Sequence, residues 1–466
     1  MTPEISCDQA YLGRADWGIS VKNGLGGATA YLAISSASGS GFQSGIPLNI
    51  DSSQILSVVP VTLGGTVGVA GAGSAFFPIP LAIPISSAFA DIHFYAQVVV
   101  VDVASGGLAS TGGLDVTLTM PPLIHGSASV GGSCDPNVFV DPSNGQVSNQ
   151  SYCLNNVSAA SARFANAGLD LYVASTLFDR IDHCDFRGAT PTWSILANLS
   201  GRPIGIRVDK SRQWIWTLNA ITGSQRELVA IDMNGVQQAS TSGLAGGGLV
   251  EMWTLSQSGK RAAVSSVMGG NITIWDTDDT SPTFLQPIAY LSSPSSLGSS
   301  IRINTSLEFT TNDESLLVSI QNIGSMPGEL ARYSFSIGLW IDHDITTPVV
   351  DNAGPNSNPP IPFGSAPRGL SFGRDSNTVF VSGFGGNGWV SRLDYSPQNP
   401  YVFSGFTSAT AVNDASRCSV NEDGTVLAVS SSAPKLLILM DAATLTVNQS
   451  IPVSMFPGHV GCITWR

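Results

Sequence analysis

The feature that most constrains the fold of this chain is a repeated pattern of short strands, clearest in residues 417–453. There an apolar strand meets the turn 421–424 (NEDG), and a second strand follows at residues 425–430. A third strand at 436–440 ends at Asp441, and residues 444–451 alternate as a fourth. Four short antiparallel strands joined by tight turns are typical of one β-propeller blade. The repeat therefore predicts an all-β chain.

Earlier copies of the pattern align on the turn between the first two strands. Each copy has apolar alternation, a polar turn and an apolar strand ending in a small residue. The copies start roughly 40–60 residues apart, near the spacing of propeller blades. They are residues 162–175, 204–217, 252–265, 307–319, 369–382 and 417–430. Several third strands end in aspartate, and this periodicity favours turn capping by hydrogen bonds to backbone amides over catalysis.

The two ends of the repeat region each hold part of a further blade. Residues 458–465 (GHVGCITW) read as a first strand with nothing after it, and residues 138–147 read as third and fourth strands with no first strand before them. Residues 125–130 supply a second strand. Joining these pieces completes a seventh blade and removes the open edges of the ring. We predict a seven-bladed propeller over residues 137–466, with residues 122–136 as a linker or part of the closing blade.

Residues 1–121 form a different unit, with short strands and prolines that suit edges or connections. These features predict an N-terminal β-sandwich. The unit resembles a small domain of secreted modular bacterial proteins in 77–80 (FPIP), 94–98 (FYAQV), Val101-Asp102 and 110–116 (STGGLDV). The sequence departs from that family by an extra glycine in the closing strand and by its N-terminal position. The resemblance implies an accessory, attachment or assembly module without catalysis.

The repeat, from about residue 125 to 466, resembles the broad seven-bladed propeller superfamily of lactonase-like, quinoprotein-like and surface-layer repeats. Propellers host enzymes, scaffolds and adhesins alike, so the resemblance does not choose an activity. Calcium-dependent lactonase-like members hold a metal in the central channel with glutamate and several asparagine or aspartate residues. Here the weak candidates near first strands are Glu251, Asn304, Asn413 and Asp414, with Glu308 beside them, although their depths in the repeat do not match.

Charge and composition exclude some classes of function. The 20 basic residues against 33 acidic residues give a net charge of −13, which a phosphate backbone would repel, so no nucleic-acid partner is expected. The most apolar stretch, 76–90, is short and broken by prolines, so no membrane span is expected. The first residues lack the features of a signal peptide, and we expect the numbering to begin at a mature or expressed form.

Six cysteines without a CxxC pair favour disulfides in an oxidising compartment over zinc or redox chemistry. Cys418 and Cys462 lie in the first strands of neighbouring blades and are one predicted pair. Two of Cys134, Cys153 and Cys184 are predicted to form another. The alternative is that all six are buried free thiols.

Tryptophans are the candidate binding residues, since tryptophan stacks on sugars and dominates interface hot spots. Trp253, Trp340 and Trp389 are selected, with core packing as the alternative for each. No HExxH, GxSxG or P-loop motif occurs, so no catalytic residue is proposed and no cofactor is expected. Acidic turns such as 276–279 are candidates for a structural calcium, although solvated turns explain them equally.

These observations predict an extracellular or cell-surface protein and favour a binding function over an enzymatic one. Its propeller is expected to recognise a protein or glycan. One alternative is a structural subunit of a fibre or coat that self-assembles through its N-terminal domain. The other is a metal-dependent, lactonase-like hydrolase.

Overall fold

The structure is a computed structural model of the 466-residue chain. It describes residues 2–7, 10–12, 17–79, 87–102, 106–128, 137–150, 159–175, 178–188, 190–221, 225–241, 250–266, 271–292, 302–322, 329–342, 366–373, 377–384, 388–395, 403–409, 415–432, 435–453 and 460–466. The chain divides into two compact units. The first contains residues 1–122 with 166–169 and 186–190, and the second contains the remainder.

The first unit contains ten strands in three sheets. A three-stranded sheet has the order β1-β2-β7, a five-stranded sheet has the order β10-β8-β3-β6 with β9 paired to β8, and β4 pairs with β5. Every pairing is antiparallel. The strands are β1 Glu4–Cys7, β2 Gly18–Leu25, β3 Thr29–Ser35, β4 Ser38–Gln43, β5 Ile46–Ile50, β6 Ile55–Thr62, β7 Ala70–Pro78, β8 His93–Asp102, β9 Gly107–Ser110 and β10 Leu114–Thr117.

One apolar core joins the two larger sheets of this unit. Trp17 and Ile19 from the region of β2 are buried with Leu32 of β3 and Val98 of β8. Alternation along each strand places every second side chain in this core, as the pleat requires. The first unit is therefore two sheets packed on a shared apolar layer.

The second unit is built from four-stranded antiparallel sheets, seven of them within the described ranges. The strands are β11 Ile124–Ala128, β12 Asn137–Val140, β13 Val147–Gln150, β14 Ala159–Ala165, β15 Asp170–Ser175, β16 Arg180–Asp185, β17 Thr192–Asn198, β18 Arg202–Asp209, β19 Trp214–Ala220, β20 Arg226–Asp232, β21 Gln237–Ser240, β22 Val250–Leu255, β23 Arg261–Ser266, β24 Ile272–Asp276, β25 Pro287–Leu291, β26 Arg302–Phe309, β27 Ser315–Asn322, β28 Glu329–Ser334, β29 Leu339–Asp342, β30 Ala366–Phe372, β31 Thr378–Phe384, β32 Trp389–Tyr395, β33 Phe403–Ala409, β34 Ala415–Val420, β35 Val426–Ser432, β36 Lys435–Asp441, β37 Val447–Pro452 and β38 Val460–Trp465. Helical structure in the described ranges is limited to three three-residue 3-10 turns.

The sheets form a closed ring, which is the propeller fold. The first strands β14, β18, β22, β26, β30, β34 and β38 each contact the next, and β38 contacts β14 again. The closing sheet has the order β13-β12-β11-β38, so its first strand comes from the C-terminus. The predicted closure by strands from both ends of the repeat is confirmed.

Neighbouring blades pack through apolar layers. Trp216 and Leu218 of β19 are buried against Trp253 of β22 and Ala262 of β23, for example. Similar layers lie between the other described pairs, including the closing sheet, where Ile463 packs against β36. Alternation within each strand supplies both faces of a blade with apolar side chains, and burying those faces holds the ring together.

Two of the aspartates that end third strands, Asp232 and Asp441, are turn caps. The Asp232 carboxylate accepts hydrogen bonds from the Asn234 and Val236 amides at 2.8 and 3.0 Å. Asp441 accepts them from the Ala443 and Thr444 amides at 3.0 and 2.8 Å. These bonds confirm the structural interpretation of the series at these positions.

The predicted disulfides are wrong where the structure describes the thiols. Cys184 and Cys418 are buried free thiols, and Cys418 Sγ donates to the Phe380 carbonyl at 3.7 Å. Counted from the register shift in each first strand, Cys418 is equivalent to Ile463 and not to Cys462, and successive residues of a strand lie on opposite faces. Cys134, Cys153 and the side chain of Cys462 lie outside the described part of the chain. No helix in the described ranges is long and apolar enough to cross a membrane.

Candidate functional site

The candidate site is a cavity at the centre of the ring. It has a volume of about 160 Å³ and is lined by residues from all seven first strands that the structure describes. Its polar lining residues are Ser161, Arg163, Arg207, Ser306, Glu308 and Arg417, and its apolar lining includes Ile204, Met252, Trp253, Leu307, Leu370 and Ile463. Among the described lining residues, three arginines stand against one glutamate, so this part of the lining is cationic in a chain whose net charge is −13.

A β-bulge at the same place in each first strand sets the position of these side chains. In β18, for example, Pro203 pairs with Asn219 and Gly205 pairs with Leu218, so Ile204 is the extra residue. The other five complete blades carry the bulge at the equivalent residue, and in the closing sheet it falls in β38. Because a bulge bends its strand and redirects the residues beside it, each strand presents the same short segment to the channel.

The three residues after each bulge have distinct environments. The second is buried in every blade, as Ala162, Ile206, Trp253, Leu307, Leu370, Cys418 and Ile463. The third carries the charges Arg163, Arg207 and Glu308 in three blades. In β34 the charged residue is Arg417, which is the first residue after the bulge. The charged lining residues thus stand at one or two levels of the channel.

The arginines are partly held by main-chain carbonyls of the first strands. Nη1 of Arg163 donates to the Ala162 carbonyl at 2.8 Å, and Nη1 of Arg207 donates to the Ile206 carbonyl at 3.0 Å. Nη1 of Arg417 donates to the Arg368 carbonyl of the neighbouring blade at 2.8 Å. These bonds to neutral carbonyls orient the guanidinium groups, and an oriented guanidinium is suited to paired hydrogen bonds with an anion.

Arg207 is central to the site. Its Nη2 lies 3.6 Å from Oε2 of Glu308, and its Cζ lies 5.8 Å from the ring centre of Trp253. The two charged side chains are only 19% and 22% exposed. The Nε of Arg207 and the indole Nε1 of Trp253 are buried donors that have no hydrogen-bond acceptor among the described residues. Buried donors are nearly always paired in native proteins, so an acceptor for the Nε of Arg207 has to come from outside the described residues.

Two glycines allow the strands to approach closely around the cavity. A Cβ on Gly205 would lie 2.7 Å from Nε1 of Trp253, and a Cβ on Gly369 would lie 2.7 Å from the amide nitrogen of Cys418. Larger residues there would push neighbouring strands apart. Glycine at these positions therefore keeps the cavity narrow.

The structure places the three selected tryptophans in different surroundings. Trp253 is 5% exposed and forms part of the cavity wall. Trp389 is buried in the layer between two blades. Trp340 is partly exposed, lies edge-on to Tyr333 and donates to the Ser292 carbonyl at 2.7 Å. The structure does not bring the three together, and Trp389 offers no exposed stacking surface.

The metal candidates are only partly described. Glu251 is the bulge residue of β22, and Asn304 lies in β26 one residue before the bulge, but their side chains fall outside the described part of the structure, as do Asn413 and Asp414 entirely. Within the described residues, no three His, Cys, Asp or Glu side chains form a group that could hold a metal ion.

The acidic turn at 276–279 is already supplied with donors. Asp276 Oδ2 accepts from the Ser281 and Thr283 hydroxyls at 2.5 and 2.6 Å, and Asp278 accepts from the Thr280 hydroxyl and pairs with Lys260 at 3.0 Å. Calcium takes oxygen ligands with lone pairs free for the ion. Hydroxyl groups occupy lone pairs of both carboxylates, and the Lys260 ammonium balances the charge of Asp278.

The sequence reasoning placed Glu308 near the channel but missed Arg163, Arg207 and Arg417. In the copies as aligned on the turn, Arg163 is the second residue and Arg207 is the fourth, so their equivalence becomes visible only when the bulges are aligned. The bulge that directs these residues to the channel leaves no mark in the pattern of apolar residues.

No family model matches the sequence, and no curated protein matches it significantly. Similar solved structures include a candidate 6-phosphogluconolactonase from Bacteroides uniformis, with TM-score 0.54, 13% identity, and 74% of this chain and 99% of that chain covered. The periplasmic gluconolactonase PpgL from Pseudomonas aeruginosa gives TM-score 0.54 and 13% identity over 74% and 98%. A functionally unknown protein from Desulfotomaculum acetoxidans gives 0.54 and 10% over 73% and 98%. At such identities the similarity shows one thing, that this chain shares the β-propeller fold of lactonase-like proteins.

Proposed function

We propose that the propeller binds a small anionic molecule, one that carries a carboxylate or phosphate group, in its central cavity. The observation that carries the proposal is Arg207, a partly buried cation whose Nε lacks an acceptor among the described residues. The function of the propeller would then be binding, with a carboxylate or phosphate as the recognised group.

The charge of the cavity supports an anion over a neutral ligand. Arg163, Arg207 and Arg417 outnumber Glu308, and partial burial strengthens the field of each charge because the surrounding dielectric is lower than that of water. Guanidinium groups bind carboxylates and phosphates through paired hydrogen bonds. The acidic surface would deter anions elsewhere, so the cavity is the place where they are favoured.

Calorimetric titration with small sugar acids tests the proposal. The probes are 6-phosphogluconate and gluconate, chosen because two structural neighbours carry the names of lactonases that would release such acids, with glucose as the neutral control. Because a hydrogen bond to a charged group contributes about 1.5–3 kcal/mol, Arg207→Gln should weaken binding of an acid about tenfold or more. Arg202→Gln, an exposed arginine on the same strand outside the cavity, is the matched control.

Two results would reject anion binding at this place. One is equal affinity for glucose and the acids. The other is a loss of affinity in Arg202→Gln as large as that in Arg207→Gln. Weak binding to wild type that is abolished by Arg207→Gln and spared by Arg202→Gln supports the proposal.

A second candidate is lactone hydrolysis, and Glu308 beside Arg207 favours it. The Glu308 carboxylate would take a proton from water as the water oxygen attacks the lactone carbonyl, and Arg207 would stabilise the oxyanion. The ring C–O bond then breaks, and the proton passes to the departing alkoxide. Glu308→Gln should lower hydrolysis of glucono-δ-lactone about 100-fold or more in a pH-stat assay. A rate unchanged by this substitution would remove the candidate.

Three further proposals follow from the sequence. We interpret residues 1–121 as a β-sandwich accessory module and residues 137–466 as a seven-bladed propeller. We also propose an extracellular or cell-surface location, supported by the acidic, lysine-poor composition with only four lysines. Cys184 and Cys418 are buried free thiols and lend no support to the disulfide argument for that location, while a bond between Cys134 and Cys153 lies outside the described residues. Immunodetection on intact cells before and after protease treatment tests it.

A further inference from the structure

The first unit has an uncharged apolar surface at one edge of its five-stranded sheet. Among the described strands, β6 ends the sheet, since it pairs there with β3 alone. Seven of its eight residues are exposed, and Leu56 and Val58 are 66% and 50% exposed. We call the surface formed by the outer faces of β6, β3 and β9 the β6 face.

The strand register shows that the apolar residues of the β6 face are neighbours. Leu56, Val58 and Pro60 are spaced two residues apart and so share one side of the sheet. Pro60 pairs with Tyr31 of β3, which is 40% exposed. Leu108 of β9, also 40% exposed, continues the face across β8. The strands β3, β6 and β9 contain no Asp, Glu, Lys or Arg, and the one such residue of β8, Asp102, follows Val101 and so alternates to the other side of the sheet.

The area of the face fits an interface of standard size. The exposed fractions correspond to roughly 500 Å² of apolar surface, which exceeds the roughly 400 Å² at which an exposed apolar patch marks an interaction surface. A standard interface buries about 800 Å² per partner, a little over half of it apolar. The apolar part of one such interface is therefore already present on this unit.

Proline determines how a partner can approach. Pro60 lies in the middle of the edge strand and has no N–H group, and proline is tolerated in edge strands where that group would face solvent. The open edge thus lacks a donor and is a poor template for an added strand. Contact through the face of the sheet remains, because it needs no backbone hydrogen bonds.

We propose that the β6 face is the contact between two copies of this chain, related by a two-fold axis. Each copy has a net charge of −13, so two copies repel one another except where the surface carries no charge, and the β6 face is such a place. A partner of opposite charge would instead be recognised by acidic side chains, which the three strands lack. This proposal is independent of the ligand of the propeller.

Two-fold symmetry makes the contact closed. A residue near the axis meets the same residue of the second copy, so assembly stops at a dimer and does not continue into a fibre. Val58 is the middle member of the row formed by Leu56, Val58 and Pro60 and is the residue best placed for a test. Exposed at 50%, it can be replaced without disturbing the core.

Sedimentation velocity of the full chain over a range of concentrations, roughly 1–100 μM, tests the proposal. Wild type should form dimers and nothing larger. Val58→Glu and Val58→Lys each place two like charges opposite one another, and each should weaken dimerisation at least tenfold. An equimolar mixture of the two variants should restore the dimer, because unlike charges then meet across the axis.

Phe42→Glu is the matched control, since Phe42 lies in the β4–β5 hairpin, is 82% exposed and receives the same charge. It should dimerise as wild type does, and near-ultraviolet circular dichroism should show every variant folded. A monomeric wild type at 100 μM, polymers beyond the dimer, equal weakening by Phe42→Glu, or failure of the mixture to restore the dimer would each overturn the proposal.

Discussion

Replacing Arg212 should destabilise the propeller by a large amount, because this side chain joins two blades through buried bonds. Its Nε donates to Asp209 at 2.6 Å, its Nη1 to the Thr277 carbonyl at 2.6 Å and its Nη2 to the Gly259 carbonyl at 2.6 Å. The guanidinium also lies 4.6 Å from the ring centre of Trp214. The Asp209 side chain is completely buried.

The cost follows from what Arg212→Ala leaves behind. Removing one partner of a buried ion pair costs about 3–5 kcal/mol, since the other charge stays buried. Asp209 would still accept hydrogen bonds from the Ser211 hydroxyl at 2.6 Å and the Ser211 amide at 3.0 Å. The Gly259 carbonyl would still accept one from the Thr277 hydroxyl at 2.7 Å. The remaining bonds favour the lower end, about 3 kcal/mol. Arg212→Lys should lower the free energy of unfolding by less than Arg212→Ala does, because lysine keeps the positive charge but lacks the planar guanidinium group.

Arg392→Ala is the matched control. Arg392 also joins two blades, donating to Asp394 at 2.9 Å and to the Ala443 carbonyl at 2.9 Å, but the Asp394 side chain is 28% exposed. Water can replace the lost partner there, so the cost should be about 1 kcal/mol or less. Urea unfolding followed by tryptophan fluorescence measures both. A loss below 1 kcal/mol for Arg212→Ala, or equal losses for the two variants, would refute the reasoning.

Three other perturbations have defined outcomes. Deleting residues 460–466 removes the first strand of the closing sheet and opens an edge, so light scattering should detect aggregation where the full chain stays soluble. Gly383→Ala places a Cβ 2.1 Å from the ring of Trp389 and should lower the free energy of unfolding by about 1–3 kcal/mol in the urea assay. Burial raises the pKa of the Cys184 thiol to about 12 and that of Cys418 to about 11, so at pH 8 the thiolate fraction is about one in a thousand or less. Neither should react with a disulfide reagent before unfolding, and rapid labelling of either in the native protein would contradict this.

The fold was accessible from the sequence because its determinants are local. The turn residues 421–424, the alternation on either side of them and the capping Asp441 all act within one blade, and the copies reinforce one another. Closure was predictable for a related reason. The C-terminal strand β38 is a first strand without a blade, and strands β11–β13 are a blade without a first strand. Together they form one complete sheet.

The disulfide prediction failed because pairing depends on register across two strands. Cys418 and Cys462 both lie in first strands of neighbouring sheets, and proximity of this kind suggested a bond. Counting from the bulge in each strand shows that they are one position out of step, and successive side chains of a strand point to opposite faces. Sequence spacing finds the right strands but does not align the two sulfur atoms.

The candidate site lies where the blades differ from one another. The buried residue after the bulge, which recurs in every blade, and the aspartate that caps a turn in several blades are accounted for by the needs of a single blade. The third residue after the bulge follows no such rule: it is Arg163, Arg207 and Glu308 in three blades and uncharged in the other four. The ring brings these unlike residues to one channel, and their charges are not needed to pair strands or to pack blades. The proposed anion would recognise this asymmetric set of charges, and Arg207, whose buried Nε has no acceptor among the described residues, is the residue at which to test for it.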